Sequence, residues 1–218
     1  PADHPISMAG MPAVNPTPPR SINGHTTFGV LGPISALGHA SVAIWKAVLD
    51  AVPDANLLVA NHGRMDRETV DRIYKLCAHV GLSERVTIAE LEDQNAPRTK
   101  FLDYIDIALD TMPQSGFTEV GEALWMGVPA IAASGSAGAR ALTASGMDAW
   151  VYSDHDGLRE TARNLAGNVE LLHEHRQSLR LSLADTPLFN VAKFTECLES
   201  AYRAHWTRWC DTQRVDKS

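Results

Sequence analysis

Short apolar runs alternate with amphipathic stretches along most of the chain. TTFGVL (26–31), ANLLVA (55–60), RVTIAE (85–90), YIDIALD (104–110), VPAIAAS (128–134) and AWVYS (149–153) are apolar nearly throughout, the pattern of strands covered on both faces of a sheet. Between them, SALGHASVAIWKAVLDAV (35–52) places Val42, Trp45, Val48, Leu49 and Val52 on one helical face. MDRETVDRIYKLCAHVG (65–81) turns Val70, Ile73, Leu76, Cys77 and Val80 inward, with Gly81 as its stop signal. Strands separated one by one by helices predict an α/β fold, a Rossmann-like doubly wound parallel sheet. The last third changes character: 156–185 and 189–209 read as helices broken at Pro187 and expected to cross back over the sheet edge.

The first 25 residues hold six prolines and no helical or alternating pattern, so they read as an extended leader along a surface. A self-contained protein rarely begins this way, and a missing upstream region is expected. Residues 26–210 then form the Rossmann-like domain, and 211–218 a fraying tail. No repeat with a period of about 20–50 residues is visible.

With 218 residues and 44% hydrophobic content, the chain can bury a core without staples. Nineteen basic against 26 acidic side chains give a formal charge of −7, which argues against a broad electrostatic grip on nucleic acid or an anionic membrane. Any phosphate must therefore be held locally. Cys77, Cys197 and Cys210 are widely separated, so neither a disulfide framework nor a zinc site is indicated and a reducing cytoplasm is expected. Neither a run of about 18 apolar residues nor a basic-then-hydrophobic start is present, so no membrane span or signal peptide is expected.

The stretch LDTMPQSGFTEVGEALWMGVP (109–129) begins as a strand end, passes a Gln-Ser-Gly turn, and becomes an apolar-striped helix that stops at Gly-Val-Pro. Ligands of open parallel sheets collect at the carboxyl ends of strands. A helix starting near Phe117 there would aim unpaired N–H groups and a partial positive charge at the crevice, a pocket suited to phosphate. Gly116 allows close backbone approach and Thr118 adds a hydroxyl. Glu122, four residues beyond Thr118 on the same face, suits ribose hydroxyls. The same pattern also fits an ordinary strand-to-helix connection with Ser115 as N-cap.

Several motifs together resemble the C-terminal catalytic half of the O-GlcNAc transferase and SPINDLY family: NGHTTFG at 23–29, IDIALDT followed by SGFTEVGEALWMGVP, and PLFN at 187–190 before a helix ending in AYRAHW. The similarity runs from about residue 23 to 209, and the LDT to EALWMGVP block is its most specific part. It implies the second, nucleotide-sugar-binding Rossmann domain of a GT-B glycosyltransferase. That enzyme would transfer sugar, usually GlcNAc from UDP-GlcNAc and in some members fucose from GDP-fucose, onto Ser or Thr of an acceptor protein. The transfer would be a direct inverting displacement with no metal and no cofactor beyond the donor. The resemblance also implies an upstream Rossmann domain and TPR helices, or a partner chain, that supply the catalytic base; no residue here takes that role.

Carried over residue by residue, the resemblance puts the donor diphosphate at Ser115, Gly116, Phe117 and Thr118 and the ribose at Glu122, where the family has Asp. Arg98 falls near a His that packs on the base, and Arg140 in SGSAGARAL (134–142) matches a family Arg. The glycines of that segment fit either approach to the sugar or phosphate or a tight strand-to-helix turn. Two departures stand out: Ala36 occupies the place of a Lys that neutralises the diphosphate, and Glu119 replaces a second loop Thr. A carboxylate ~5 Å from a phosphate charge costs roughly 3 kcal/mol at an effective dielectric of 20. Weak donor binding is the expectation, with a non-catalytic scaffold as the alternative.

Other side chains read as structural. His173 and His175 point apart on one helix, His39, His79 and His205 lack partners in ligand register, and His62 at a strand end is the best of a weak set. Trp45, Trp125, Trp206 and Trp209 read as packing, and Asp103 and Asp106 as solvated.

Overall fold

A computed structural model describes residues 6, 10–32, 34–61, 66–90, 98–111, 116–186 and 188–215. In chain order the elements are α1 (Arg20–Asn23), β1 (Thr27–Gly32), α2 (His39–Ala51), β2 (Asn56–Asn61), α3 (Arg67–His79), β3 (Val86–Glu90) and β4 (Ile107–Asp110). There follow α4 (Phe117–Trp125), β5 (Ala130–Ala133), α5 (Ala137–Ala144), β6 (Val151–Tyr152), α6 (His155–Ala166), α7 (Val169–Leu183) and α8 (Val191–Val215).

Six strands form one parallel sheet among the described residues, in the order β3-β2-β1-β4-β5-β6. The doubly wound sheet expected from the buried-strand pattern is therefore present. Strand order runs outward in both directions from the β1/β4 pair. Right-handed crossovers consequently place α2 and α3 on one face and α4 and α5 on the other. Val42, Trp45, Val48 and Leu49 of α2 are buried as their spacing requires, Trp45 fully. α2 packs against α6, and α4 against α5 and α7.

Local chemistry trims several predicted elements. The helix expected over 35–52 starts at His39 because Gly38 is extended at φ −157°. The segment before β4 is a 3-10 turn, Arg98–Tyr104, so the strand is confined to Ile107–Asp110. The helix expected over 156–185 is divided: Asn168 accepts the Leu171 N–H at 2.9 Å and begins a new helix. α8 runs to Val215, into the segment expected to fray.

The leader is not wholly extended. Arg20–Asn23 makes one helical turn, Ile6 is buried, and the Ile6 N–H donates to the Leu188 carbonyl at 2.9 Å. Asp106 corrects its expected solvation: it is 1% exposed and accepts the Thr27 N–H at 2.8 Å and the Arg20 N–H at 2.9 Å, which ties the leader to β1. Burial raises its carboxyl above the usual value despite those donors, and burial also raises Asp103.

Trp206 and Trp209 are also corrected. They stack on each other with centroids 5.1 Å apart and are 65% and 53% exposed, on the α8 face that carries exposed Leu198 and Tyr202. Trp125 packs against Phe189 at 4.9 Å, with the Arg180 guanidinium 5.3 Å from its ring. Pro187 and His62 lie outside the described residues.

Candidate functional site

β1 and β4 are neighbours in the sheet although the chain visits β2 and β3 between them, so a crevice opens at their carboxyl ends. A cavity of about 40 Å³ lies there, lined by Gly29, Gly32 and Ala36 on the β1 side and by Asp110, Thr111, Gly116 and Glu119 on the β4 side. That volume takes roughly a water or two.

α4 starts where the sequence placed it. Gly116 is its N-cap, extended at φ −102°, and Phe117, Thr118 and Glu119 form the first turn, all partly exposed. Among the described residues the Thr118 hydroxyl makes no hydrogen bond, which leaves it open to a ligand. Glu122 shares the Thr118 face but is buried, at 7% exposure. Ser115 lies outside the described residues.

Two carboxylates crowd the α4 N-terminus: Glu119, which the sequence reading already set against the phosphate, and Asp110, which it did not place in the site. The Gly116 N–H donates to Asp110 Oδ1 at 2.8 Å, so this amide is held by the protein itself. Glu119 folds back over Gly116: a Cβ added there would come within 2.8 Å of the Glu119 Cβ and collide with its carboxylate. Its place in the third helical position makes this a reach back toward the helix start, as in a capping box. Asp110 was legible as a strand-end carboxylate in the LDT motif; its partner was not.

Asp110 also receives the Ser136 hydroxyl at Oδ2, 3.1 Å away, while Ser136 Oγ accepts the Ala139 N–H at 3.0 Å and caps α5. The Gly-rich segment 134–142 thus makes a tight strand-to-helix turn whose Ser136 and Gly138 face Asp110. Arg140 is exposed on α5. Burial, and secondarily the Asp110 charge, raises the Tyr152 phenol at the end of β6 above its ordinary value. Arg98 opens the 3-10 turn whose Phe101 and Leu102 line the cavity. The structure therefore brings Gly116, Thr118 and the α5 turn to one edge of the sheet.

A parallel sheet wound both ways from β1/β4, with a glycine-led helix start at its switch point, is the architecture of one Rossmann half of a GT-B glycosyltransferase. Residues 34–198 match glycosyl transferase family 41, and the chain belongs to that family. It is 33% identical over 204 residues to the probable UDP-N-acetylglucosamine–peptide N-acetylglucosaminyltransferase SPINDLY of Solanum lycopersicum, covering 91% of this chain and 22% of that protein. The SPINDLY protein of Arabidopsis thaliana is 33% identical over 203 residues, 90% of this chain and 22% of its own length. The chain therefore spans about a fifth of the curated relatives it matches.

Among solved structures, the K341M mutant of the Thermobaculum terrenum O-GlcNAc transferase superposes with a TM-score of 0.71 at 28% identity, covering 97% of this chain and 39% of that one. Anabaena HepE in complex with UDP and glucose shares the fold at a TM-score of 0.58 and 14% identity, over 83% of this chain and 51% of its own.

Among the described residues no three His, Cys, Asp or Glu side chains gather into a metal-binding group, and no helix is long and apolar enough to cross a membrane.

Proposed function

We propose that this chain is the nucleotide-sugar-binding half of a protein glycosyltransferase. It holds the donor diphosphate at the start of α4 (Ser115, Gly116, Phe117, Thr118) and the ribose at Glu122, with Arg98 beside the base and Arg140 near the sugar. The observation that carries this reading is the Gly116-led start of α4 at the β1/β4 crevice, in a family 41 chain. The donor is UDP-GlcNAc, in line with the activity for which the SPINDLY relatives are named, or GDP-fucose. The acceptor is a Ser or Thr hydroxyl of a protein, reached by direct inverting displacement without a metal.

The catalytic base comes from an upstream Rossmann region, accompanied by TPR helices, or from a partner chain. Two observations support a missing half: the relatives are several times longer than this chain, and α8 carries an exposed apolar stripe. The free cysteines Cys77, Cys197 and Cys210 suit a cytoplasmic setting.

Isothermal titration with UDP and with GDP tests the donor role. Binding weaker than about 1 μM is expected. Absence of binding at millimolar nucleotide removes the donor role.

A second reading, a degenerate domain acting as a scaffold, is favoured by the two carboxylates at Gly116 and by Ala36, a methyl side chain that brings no positive charge to the crevice. A scaffold would be indifferent to Glu119→Thr, whereas a donor site should tighten.

A further inference from the structure

We infer that Asp110 is the positioning residue of the donor loop: its carboxylate clamps the N-cap of α4 to the N-cap of α5, so the two helix starts hold one geometry. The inference rests on the donor reading above for its functional consequence, but the clamp itself stands on geometry.

Asp110 is the last residue of β4, and its pairing with Ala132 of β5 fixes where its side chain leaves the sheet. One carboxylate oxygen takes the Gly116 N–H at 2.8 Å and the other takes the Ser136 hydroxyl at 3.1 Å. Ser136 in turn receives the Ala139 N–H, so a continuous chain of hydrogen bonds runs from the α4 start to the α5 first turn.

The fit is close. A Cβ added at Gly138 would lie 2.6 Å from Asp110 Cγ and 2.9 Å from Val120 Cγ2, so only glycine lets α5 approach both the clamp and α4. Two helix N-termini carrying partial positive charge converge on one carboxylate, which holds it in place. Because Gly116 N–H is engaged, a diphosphate would use the amides that follow it and the Thr118 hydroxyl. Asp110 thus sets the direction from which the phosphates approach while touching none of them.

Asparagine at this position keeps an acceptor for Gly116 and gains an amide donor for Ser136 Oγ; alanine keeps neither. The test uses the isotope-labelled chain and its Asp110→Asn, Asp110→Ala and Ser136→Ala variants. Amide hydrogen exchange at Gly116 is followed without nucleotide, and UDP affinity is measured well below each melting midpoint. Asp110→Asn is expected to keep Gly116 protection and UDP affinity. Asp110→Ala is expected to lose both, the affinity by about tenfold.

Retention of protection and affinity in Asp110→Ala overturns the clamp, as does loss of both in Asp110→Asn with the fold intact. Should Asp110→Ala not fold, Ser136→Ala decides: a shifted Gly116 amide resonance supports the clamp and an unmoved one overturns it. If the parent chain binds no nucleotide, the donor reading fails, and Gly116 exchange still decides the clamp.

Discussion

The Arg176 guanidinium of α7 donates to the Ile105 carbonyl at 2.6 Å, a buried contact between a helix on the sheet face and the turn that feeds β4. The same group reaches the Leu102 carbonyl at 2.8 Å and the Met126 carbonyl at 3.3 Å. One cation therefore holds two backbone segments, the turn before β4 and the end of α4, at the floor of the crevice, and burial lowers its pKa to about 10. Arg176→Met keeps the stem and leaves three carbonyls without that donor. A loss of about 3 kcal/mol is expected, read as a lowered urea midpoint with unchanged slope.

Gly127 ends α4 at φ +72°, and a Cβ there would sit 2.8 Å from Arg176 Cα. Gly127→Ala meets both the left-handed backbone cost and contact with α7 backbone, which has no flexible end to move. The expected destabilisation is roughly 2–3 kcal/mol in a denaturant melt.

Asp106 joins the leader to β1 through the Arg20 and Thr27 amides. Asp106→Ala removes both acceptors inside the core and is expected to cost about 2 kcal/mol. Faster proteolysis within 10–24 would check that the leader is released.

His175 packs edge-on against Trp150 at 5.2 Å, and burial lowers its pKa below 6.5. The folded state thus binds its proton less readily than the unfolded chain does. Stability is full above pH 6.5 and falls as pH drops from 6.5 toward the folded value. Asp103 and Asp106 have raised folded values and act in the opposite sense, gaining stability as pH falls toward 3.8. Comparison with His175→Phe, which keeps the aromatic contact, isolates the histidine: the parent should lose stability relative to the variant between pH 7 and 5 in matched melts.

Glu119 lies over the start of α4, where the phosphate charge would fall. Glu119→Thr removes a repulsion of roughly 3 kcal/mol before solvent screening, and about a tenfold gain in UDP affinity is expected by titration. An unchanged or weaker Kd would count against a diphosphate at this helix start.

Local pattern carried much of this fold. Buried strands of four to six residues and the 3.6-residue stripe of α2 imply their own burial, because covering apolar surface is the main stabilising term and periodicity is its direct record. The start of α4 was legible for the same reason: a glycine before an apolar stripe, after a strand, leaves few other outcomes. The element ends that moved are those decided by hydrogen bonds with distant or capping partners, as at Asn168, which restarts a helix inside one continuous amphipathic pattern.

What the chain's order alone determined, then, is the alternation of strand and helix and the position of the glycine-led turn. Tertiary structure decided what faces that turn. Asp110 and Ser136 are 26 residues apart, and only the pairing of β4 with β5 brings their side chains together. Asp106, Trp206 and Trp209 show the same limit in both directions. A carboxylate is buried when distant amides converge on it, and an indole is exposed on a helix face that none of the described residues covers.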